Sequence, residues 1–362
     1  MKTFLRQNGA WLGFLVLAVI LSVSTGGDFL SPRNLTNLIR QASLNGILAA
    51  GMTVIILTGG IDLSIGSIVA LCGIFVGLTQ VNGGLGAQGV YGLWVSALVA
   101  MIVGTALGLF NGLLIASLRL APFVITLGMM VIARGLAMIF SGGSSISPMG
   151  EDLNDLASGY FSETVSGVAL ILVFVFSLYL IKKNRISFKD FLFPLLALLL
   201  FSQSFFRYKG IPYLAFFLFA TVTATWIFLN RTVLGRNIYA IGSNEKGAYW
   251  AGVSIKKVKI TAYTLMGLLS GLAAFLLSGR LNGADPNAGQ LFELDAIAAV
   301  VIGGVSLKGG MGSVIGSLIG ALTMATLNNG MDLLGISSFY QMVFKGIIII
   351  LAVSLDRNQR ES

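Results

Sequence analysis

The sequence predicts an all-α fold, a polytopic transmembrane helical bundle forming one integral membrane domain over residues 1–362. Three observations carry that prediction. Hydrophobic residues make up 56% of the chain and charged residues only 10%, where soluble domains carry about 25% charged residues. Runs such as FLVLAVILSV, LLALLLF and GIIIILAV are unbroken, whereas the strands of a membrane barrel alternate apolar and polar residues. A spanning helix needs about 20 apolar residues, so the chain has room for roughly ten spans with short connections.

The elements follow in order. MKTFLR opens the chain, and the run Trp11–Val23 has no A-x-A-like cleavage site behind it, so it reads as a first span rather than a signal peptide. Leu44–Thr58 and Ser64–Leu78 are short, as re-entrant or broken helices are. Tyr91–Leu118 and Phe123–Phe140 are full spans. The connection Ser141–Glu163 carries Glu151, Asp152, Asp155 and Glu163 and no Lys or Arg. Val165–Ile181 and Phe191–Phe206 flank Lys182, Lys183, Arg185 and Lys189, and Tyr213–Leu229 follows. After a basic connection come Ile260–Gly279, a short Asp295–Leu307, Val314–Leu327 and Tyr340–Leu355.

Charge orients these spans. Lys2 and Arg6, the 182–189 cluster, the basic connection at 230–260, and Arg357 and Arg360 belong in the cytoplasm by the positive-inside rule, and the acidic 141–163 connection belongs outside. Both termini then lie inside, and Arg207 and Lys209 mildly violate the pattern. The net charge of +9 has this topological meaning, because no basic stretch is interleaved with aromatics as a nucleic-acid surface would be. Histidine is absent and Cys72 is the only cysteine. That excludes disulfides, Cys/His metal sites and His-dependent nucleophiles. No GxxxxGK[ST] phosphate loop occurs, so the chain does not hydrolyse ATP by itself. Neither a cofactor nor a metal is expected.

Glycine spacing predicts close helix packing. Gly104, Gly108 and Gly112 fall on one face, as do Gly312, Gly316 and Gly320, and Gly267 and Gly271 form a shorter pair. Small residues at this spacing let backbones approach in lipid, within a tight bundle or across a dimer seam. The chain also resembles itself. ILTGGIDLSIGSIVAL is similar to VIGGVSLKGGMGSVIGSLIGAL, LFNGLL to LNNGMD, and FVITLGMMVIARGL to FYQMVFKGIIII. A duplicated transport unit is a common plan among transporters; similarity between Gly-rich apolar segments is the plainer alternative.

Polar residues at membrane depth are the candidate path: Asp62, Ser64, Asn111, Arg134, Glu293, Asp295, Asn328 and Asn329, with Lys345 nearby. Ionisable groups in a span are costly unless they face a cavity or a partner. Two readings stand, a polar path or structural pairing such as Asp62 or Glu293 with Arg134 or Lys345. In ILTGGIDLSIGS, Asp62 also has the character of a helix N-cap for SIGSIVAL, leaving unwound Gly-rich backbone beside protein or water. The connection 230–260 has helical character around Glu245–Ala251, bounded by Gly242 and Gly252. A short helix there would present Glu245, Tyr249 and Trp250, either to a partner or to lipid headgroups.

With GILAAGMTVIILTGGIDLSIGS, FNGLLIASLRLAPFVITLGMMVIARGLA, GRNIYAIGSNEKGAYWAGVSIKKVKI and PNAGQLFELDAIAAVVIGGVSLKGGMGSVIGSLIGAL, nearly the whole chain resembles permease subunits of ATP-binding-cassette importers of the ribose/xylose/galactose type. The resemblance implies about ten core helices, and this sequence departs from the family's shorter members by an added helical pair at 164–206. It implies a bacterial inner membrane location, a second permease copy in a homodimer, cytoplasmic ABC ATPase subunits and an extracytoplasmic sugar-binding protein. It further implies a coupling helix around Asn244–Gly252, with Asn244, Glu245, Gly247 and Gly252 at the ATPase contact. An ion-coupled secondary transporter of a small polar solute is the alternative; it would share repeats and broken helices but has no need of the 230–260 dock.

Overall fold

The structure, a computed structural model, describes residues 2–80, 89–118, 120–171 and 208–361. Its helices are α1 (Lys2–Ser24), α2 (Pro32–Leu57), α3 (Ile65–Gln80), α4 (Gly89–Leu118), α5 (Pro122–Ser141), α6 (Glu151–Ser158), α7 (Tyr213–Arg231), α8 (Val233–Ser243), α9 (Glu245–Trp250), α10 (Ile255–Leu281), α11 (Phe292–Ile302), α12 (Val314–Leu333) and α13 (Ser338–Glu361). No strand occurs among the described residues; two isolated β-bridges, Ile146 with Ala284 and Tyr160 with Pro212, close loops at one end. Six of these helices, α2, α4, α5, α7, α10 and α12, are long and apolar enough to cross a membrane. Most of the expected added pair, residues 172–207, lies outside the described residues.

Local sequence explains where the helices start and stop. Ser31 caps α2 by accepting from Asn34 N, with Pro32 in the first turn, where its missing N–H costs nothing. Thr232, Asn244, Ser254 and Ser313 cap α8, α9, α10 and α12 in the same way. Gly59, at φ +77°, turns the chain after α2 in the left-handed region that glycine enters freely.

Several expectations change. Leu44–Thr58 is not a short or re-entrant piece: it is the apolar half of α2, a continuous helix of 26 residues. Its first half, PRNLTNLIRQ, is polar, so hydropathy alone cut it off. The acidic connection holds an unforeseen helix, α6, whose Leu153 and Ala157 are buried while Glu151 and Asp155 face out. The first part of 230–260 is helical too, and Gly242 lies inside α8 rather than bounding a loop. There a Cβ would strike the Leu57 carbonyl. The short reading of Asp295–Leu307 holds: α11 has only 11 residues and follows a non-helical stretch at 282–291.

The core centres on α10, whose Tyr263, Met266 and Phe275 are buried, together with α2, α3 and α4. The glycines of α4 fall on a seam inside one chain. A Cβ on Gly104 would strike the Gly267 carbonyl of α10, one on Gly108 the Tyr263 carbonyl, and one on Gly112 would stand 2.8 Å from Ile260 Cα. Gly267 and Gly271 answer from α10, meeting Gly104 and Ala100. Gly316 and Gly320 of α12 lie against Gly303 and Ala299, fitting α11 to α12. Gly312 does not belong to that face, because it precedes the Ser313 cap and packs on Val305 in the loop.

The helix contacts support the internal repeat, and one of the three sequence matches falls out of its register. α3 packs on α4 and α5 as α11 packs on α12 and α13, while α2 crosses to α12 and α10 crosses to α4. The repeating units are therefore α2–α5 and α10–α13. LFNGLL with LNNGMD (α4 with α12) and FVITLGMMVIARGL with FYQMVFKGIIII (α5 with α13) keep that register, whereas the first match laid SIGSIVAL of α3 over GSVIGSLIGAL of α12, because Gly-rich bends look alike. α2 ends where Leu57 O accepts from Gly310 N at 3.0 Å, beside α8, whereas α10 starts directly after α9. The two units consequently run in opposite directions, the inverted arrangement found in many transporters.

Candidate functional site

The two breaks in the bundle gather most of the predicted polar residues. At the first, Asp62 is buried, and its Oδ1 accepts from Ser64 N at 2.8 Å and from Ser64 Oγ at 2.6 Å. Asn111 of α4 donates to the same hydroxyl at 3.0 Å. Asp62 therefore does not cap α3, contrary to the sequence expectation. It stands three residues before Ile65, too early to reach the free helix N–H groups, and Ser64 takes the position instead, with Ile68 N donating to Ser64 O at 2.9 Å. Tyr263 of α10 holds the preceding residue, its hydroxyl donating to Ile61 O at 3.2 Å.

At the second break, the non-helical stretch 282–291 approaches the start of α3. A Cβ on Gly289 would stand 2.5 Å from Gly66 O, and a Cβ on Gly66 would stand 2.6 Å from Glu293 Oε2. Only glycine permits that approach of backbone to backbone. Leu291 turns into α11 at φ +66°, a conformation that costs a branched residue roughly 1–2 kcal/mol. Arg134 of α5 braces this stretch, donating to Pro286 O at 2.5 Å and Ala288 O at 2.9 Å. Arg134 lies within electrostatic reach of Glu293, but it forms no ion pair with Glu293 or Asp62 among the described residues.

The ion pair that does form is Asp295 with Lys345, at 2.9 Å, the side chains 5% and 14% exposed. It joins α11 to α13. Asn328 of α12 adds a bond to Asp295 Oδ2 at 3.3 Å. Asn329 belongs elsewhere: it exchanges two 2.9 Å amide bonds with Asn34, tying α12 to α2. The breaks thus mirror one another, each with an asparagine of the next helix (Asn111, Asn328) reaching an acidic group or its partner. Asn111 Oδ1, Asp295 Oδ1 and Asn328 Oδ1 are buried acceptors without a partner among the described residues. Sequence reading missed Asn34, Tyr263 and Lys259; a buried asparagine on a polar helix half was the one available signal.

The 230–260 connection forms a surface at the end of the bundle where α2 terminates. Asn244 Oδ1 accepts from Gly247 N at 2.9 Å and starts α9. Glu245 pairs with Lys259 of α10 at 2.9 Å. Tyr249 is 67% and Trp250 83% exposed, a large apolar area open to the surface among the described residues. Gly252, at φ +81°, has open space around it. Beneath α9 a cavity of about 150 Å³ is lined by Thr58, Gly59, Gly60, Pro122, Glu245, Lys259 and Tyr263. It places the first break next to α9.

Residues 34–353 match the family profile described as branched-chain amino acid transport system / permease component. The chain is 39% identical over 361 residues to the ribose import permease protein RbsC of Bacillus subtilis (strain 168), covering 98% of this chain and 94% of that one. It is 37% identical to the ribose import permease protein RbsC of Escherichia coli (strain K12), covering 99% and 96%. It is 35% identical to the xylose transport system permease protein XylH of Haemophilus influenzae (strain ATCC 51907 / DSM 11121 / KW20 / Rd), covering 97% and 96%. No solved structure matches.

Proposed function

The chain belongs to the branched-chain amino acid transport system / permease component family, and from that premise we propose that it is the multi-pass permease of an ATP-binding-cassette importer for a monosaccharide. The observation that carries the substrate class is full-length identity of 39% and 37% to ribose import permeases. The family description speaks of amino acids, but its relatives with whole-length similarity are sugar permeases, and the reading follows them. The chain itself is not the ATPase. Cytoplasmic ATPase subunits, an extracytoplasmic binding protein and a second permease copy complete the reading, with both termini and α9 on the cytoplasmic side.

Physical chemistry supports a lever at α9. Asn244 and Gly247 build the helix, and Glu245 and Lys259 fasten it to α10. One turn further along α10, Tyr263 holds Ile61, next to Asp62 and Ser64. A push on Trp250 and Tyr249 therefore acts through short, bonded steps on the first break. The orphan acceptors of Asn111, Asp295 and Asn328 suit passing hydroxyls, to which a hydrogen bond is worth only about 1 kcal/mol, weak enough for release.

Trp250→Ala is expected to weaken binding of the ATPase subunits by about 30-fold, the effect of losing a contact worth about 2 kcal/mol. Extraction and thermal stability should match the parent, because the residue is 83% exposed. Equal ATPase affinity in parent and variant would remove α9 from the coupling surface. The purified chain alone should show no ATP hydrolysis, and the reconstituted complex should hydrolyse ATP in response to pentoses or hexoses on the binding protein. Uptake into vesicles lacking ATP and partners would overturn the importer reading.

A further inference from the structure

A second polar cavity, of about 550 Å³, lies at the other end of α2. The 26 residues of that helix put the two ends about 39 Å apart. Asp28, Arg33, Asn37, Arg40, Tyr160 and Tyr208 are among the residues that line it. Arg33, Asn37 and Arg40 stand at helical spacing along one side of α2, so the polar half that hydropathy overlooked is a wall of this cavity. The wall is prebuilt. Asn34 spends its whole amide on Phe29 O and Asn329. Arg40 donates to Ser158 O and lies 4.6 Å over the Tyr160 ring, with its Nε buried and unpartnered among the described residues. The two tyrosine rings meet edge to face at 6.1 Å. A backbone clasp holds their base, with Phe161 N on Ile211 O at 2.9 Å and Tyr213 N on Gly159 O at 3.1 Å.

The remaining groups point to the ligand. Asp28, Arg33 and Asn37 make no side-chain hydrogen bond among the described residues and are exposed at the cavity. An anion site presents donors alone, and Asp28 would repel an anion. Here donors (Arg33, Arg40, the Asn37 amide N–H) and acceptors (Asp28, the Asn37 carbonyl) line one cavity together with Tyr208 and Leu333. Neutral polyhydroxyl molecules offer that pattern in complement, since each hydroxyl both donates and accepts. The volume falls within the range of small-molecule sites, about 300–1,000 Å³.

We propose that this cavity is a weak monosaccharide site on the permease itself, at the end of the bundle away from α9, which receives the sugar before it enters the bundle. The proposal rests on the sugar-importer reading and adds to it a point of selection separate from the binding protein. The test uses the full chain with its ATPase subunits in lipid nanodiscs, probed by saturation-transfer NMR with D-ribose, D-xylose and, as anions of similar size, gluconate and ribose 5-phosphate. The neutral pentoses should show transfer. Asp28→Ala and Asn37→Leu should each weaken their binding by about fivefold, the value of one net hydrogen bond. Both positions are exposed, so an unchanged melting temperature will certify the fold. Equal transfer in parent and both variants, or transfer from the two anions without the neutral sugars, would overturn the site. Uptake that fails for every sugar removes the importer reading, whereas intact uptake without pentose transfer removes this inference alone.

Discussion

Lys345→Met should destabilise the bundle by about 3 kcal/mol, near the lower bound for removing one partner of a buried pair. Asp295 is 5% exposed and would be left charged beside Asn328 at membrane depth, and its second oxygen already lacks a partner among the described residues. The stranded carboxylate must then draw in water or displace its neighbours, either of which loosens the start of α11. Asp295→Asn combined with Lys345→Met should recover most of the loss, because no charge is stranded. A double-mutant cycle read by thermal unfolding in detergent checks this. Additive losses in the double variant would mean that the pair is incidental and that each residue acts through other contacts.

Gly108→Leu should be as damaging for a steric reason. Its Cβ would enter the space of the Tyr263 carbonyl and stand 2.9 Å from Gly267 Cα. Backbone cannot swing aside as a side chain can, so α4 and α10 must separate. Overpacking costs roughly 1–3 kcal/mol where side chains can adjust, and this site offers backbone alone. The expected result is loss of monodisperse protein after extraction. Gly128→Ala on α5 is the control, since its Cβ would meet nothing within 4 Å, and a helical Gly→Ala change is neutral or favourable by up to about 1 kcal/mol. Monodisperse Gly108→Leu protein melting with the parent would show that the seam is looser than drawn.

Much of the bundle was legible from composition and pattern. Tyr91–Leu118, Phe123–Phe140, Tyr213–Leu229 and Val314–Leu327 each lie within a helix of the structure, because a lipid-facing helix must be apolar along its length. α2 was half-read for the converse reason: Arg33, Asn37 and Arg40 face a cavity, so polarity there marks a different surface rather than an end. The helix at Glu245 was legible from its short helical run, though its Asn244 cap was not. The pairing of charges was not. Asp62, Glu293 and Asp295 all sit before or within a short helix start, and nothing local distinguishes the one that meets a lysine.

Periodicity, hydropathy and glycine spacing are properties of neighbours along the chain, so sequence alone determined that this protein is a helical membrane bundle with broken spans and close glycine seams. Which glycine meets which backbone, that Asp295 rather than Asp62 neutralises Lys345, and that the repeats run in opposite directions were decided by tertiary structure. Those facts depend on residues 202 apart in one case and 50 in another, brought within 3.2 Å only when the helices cross. Packing geometry, not residue type, chooses among partners that are chemically alike.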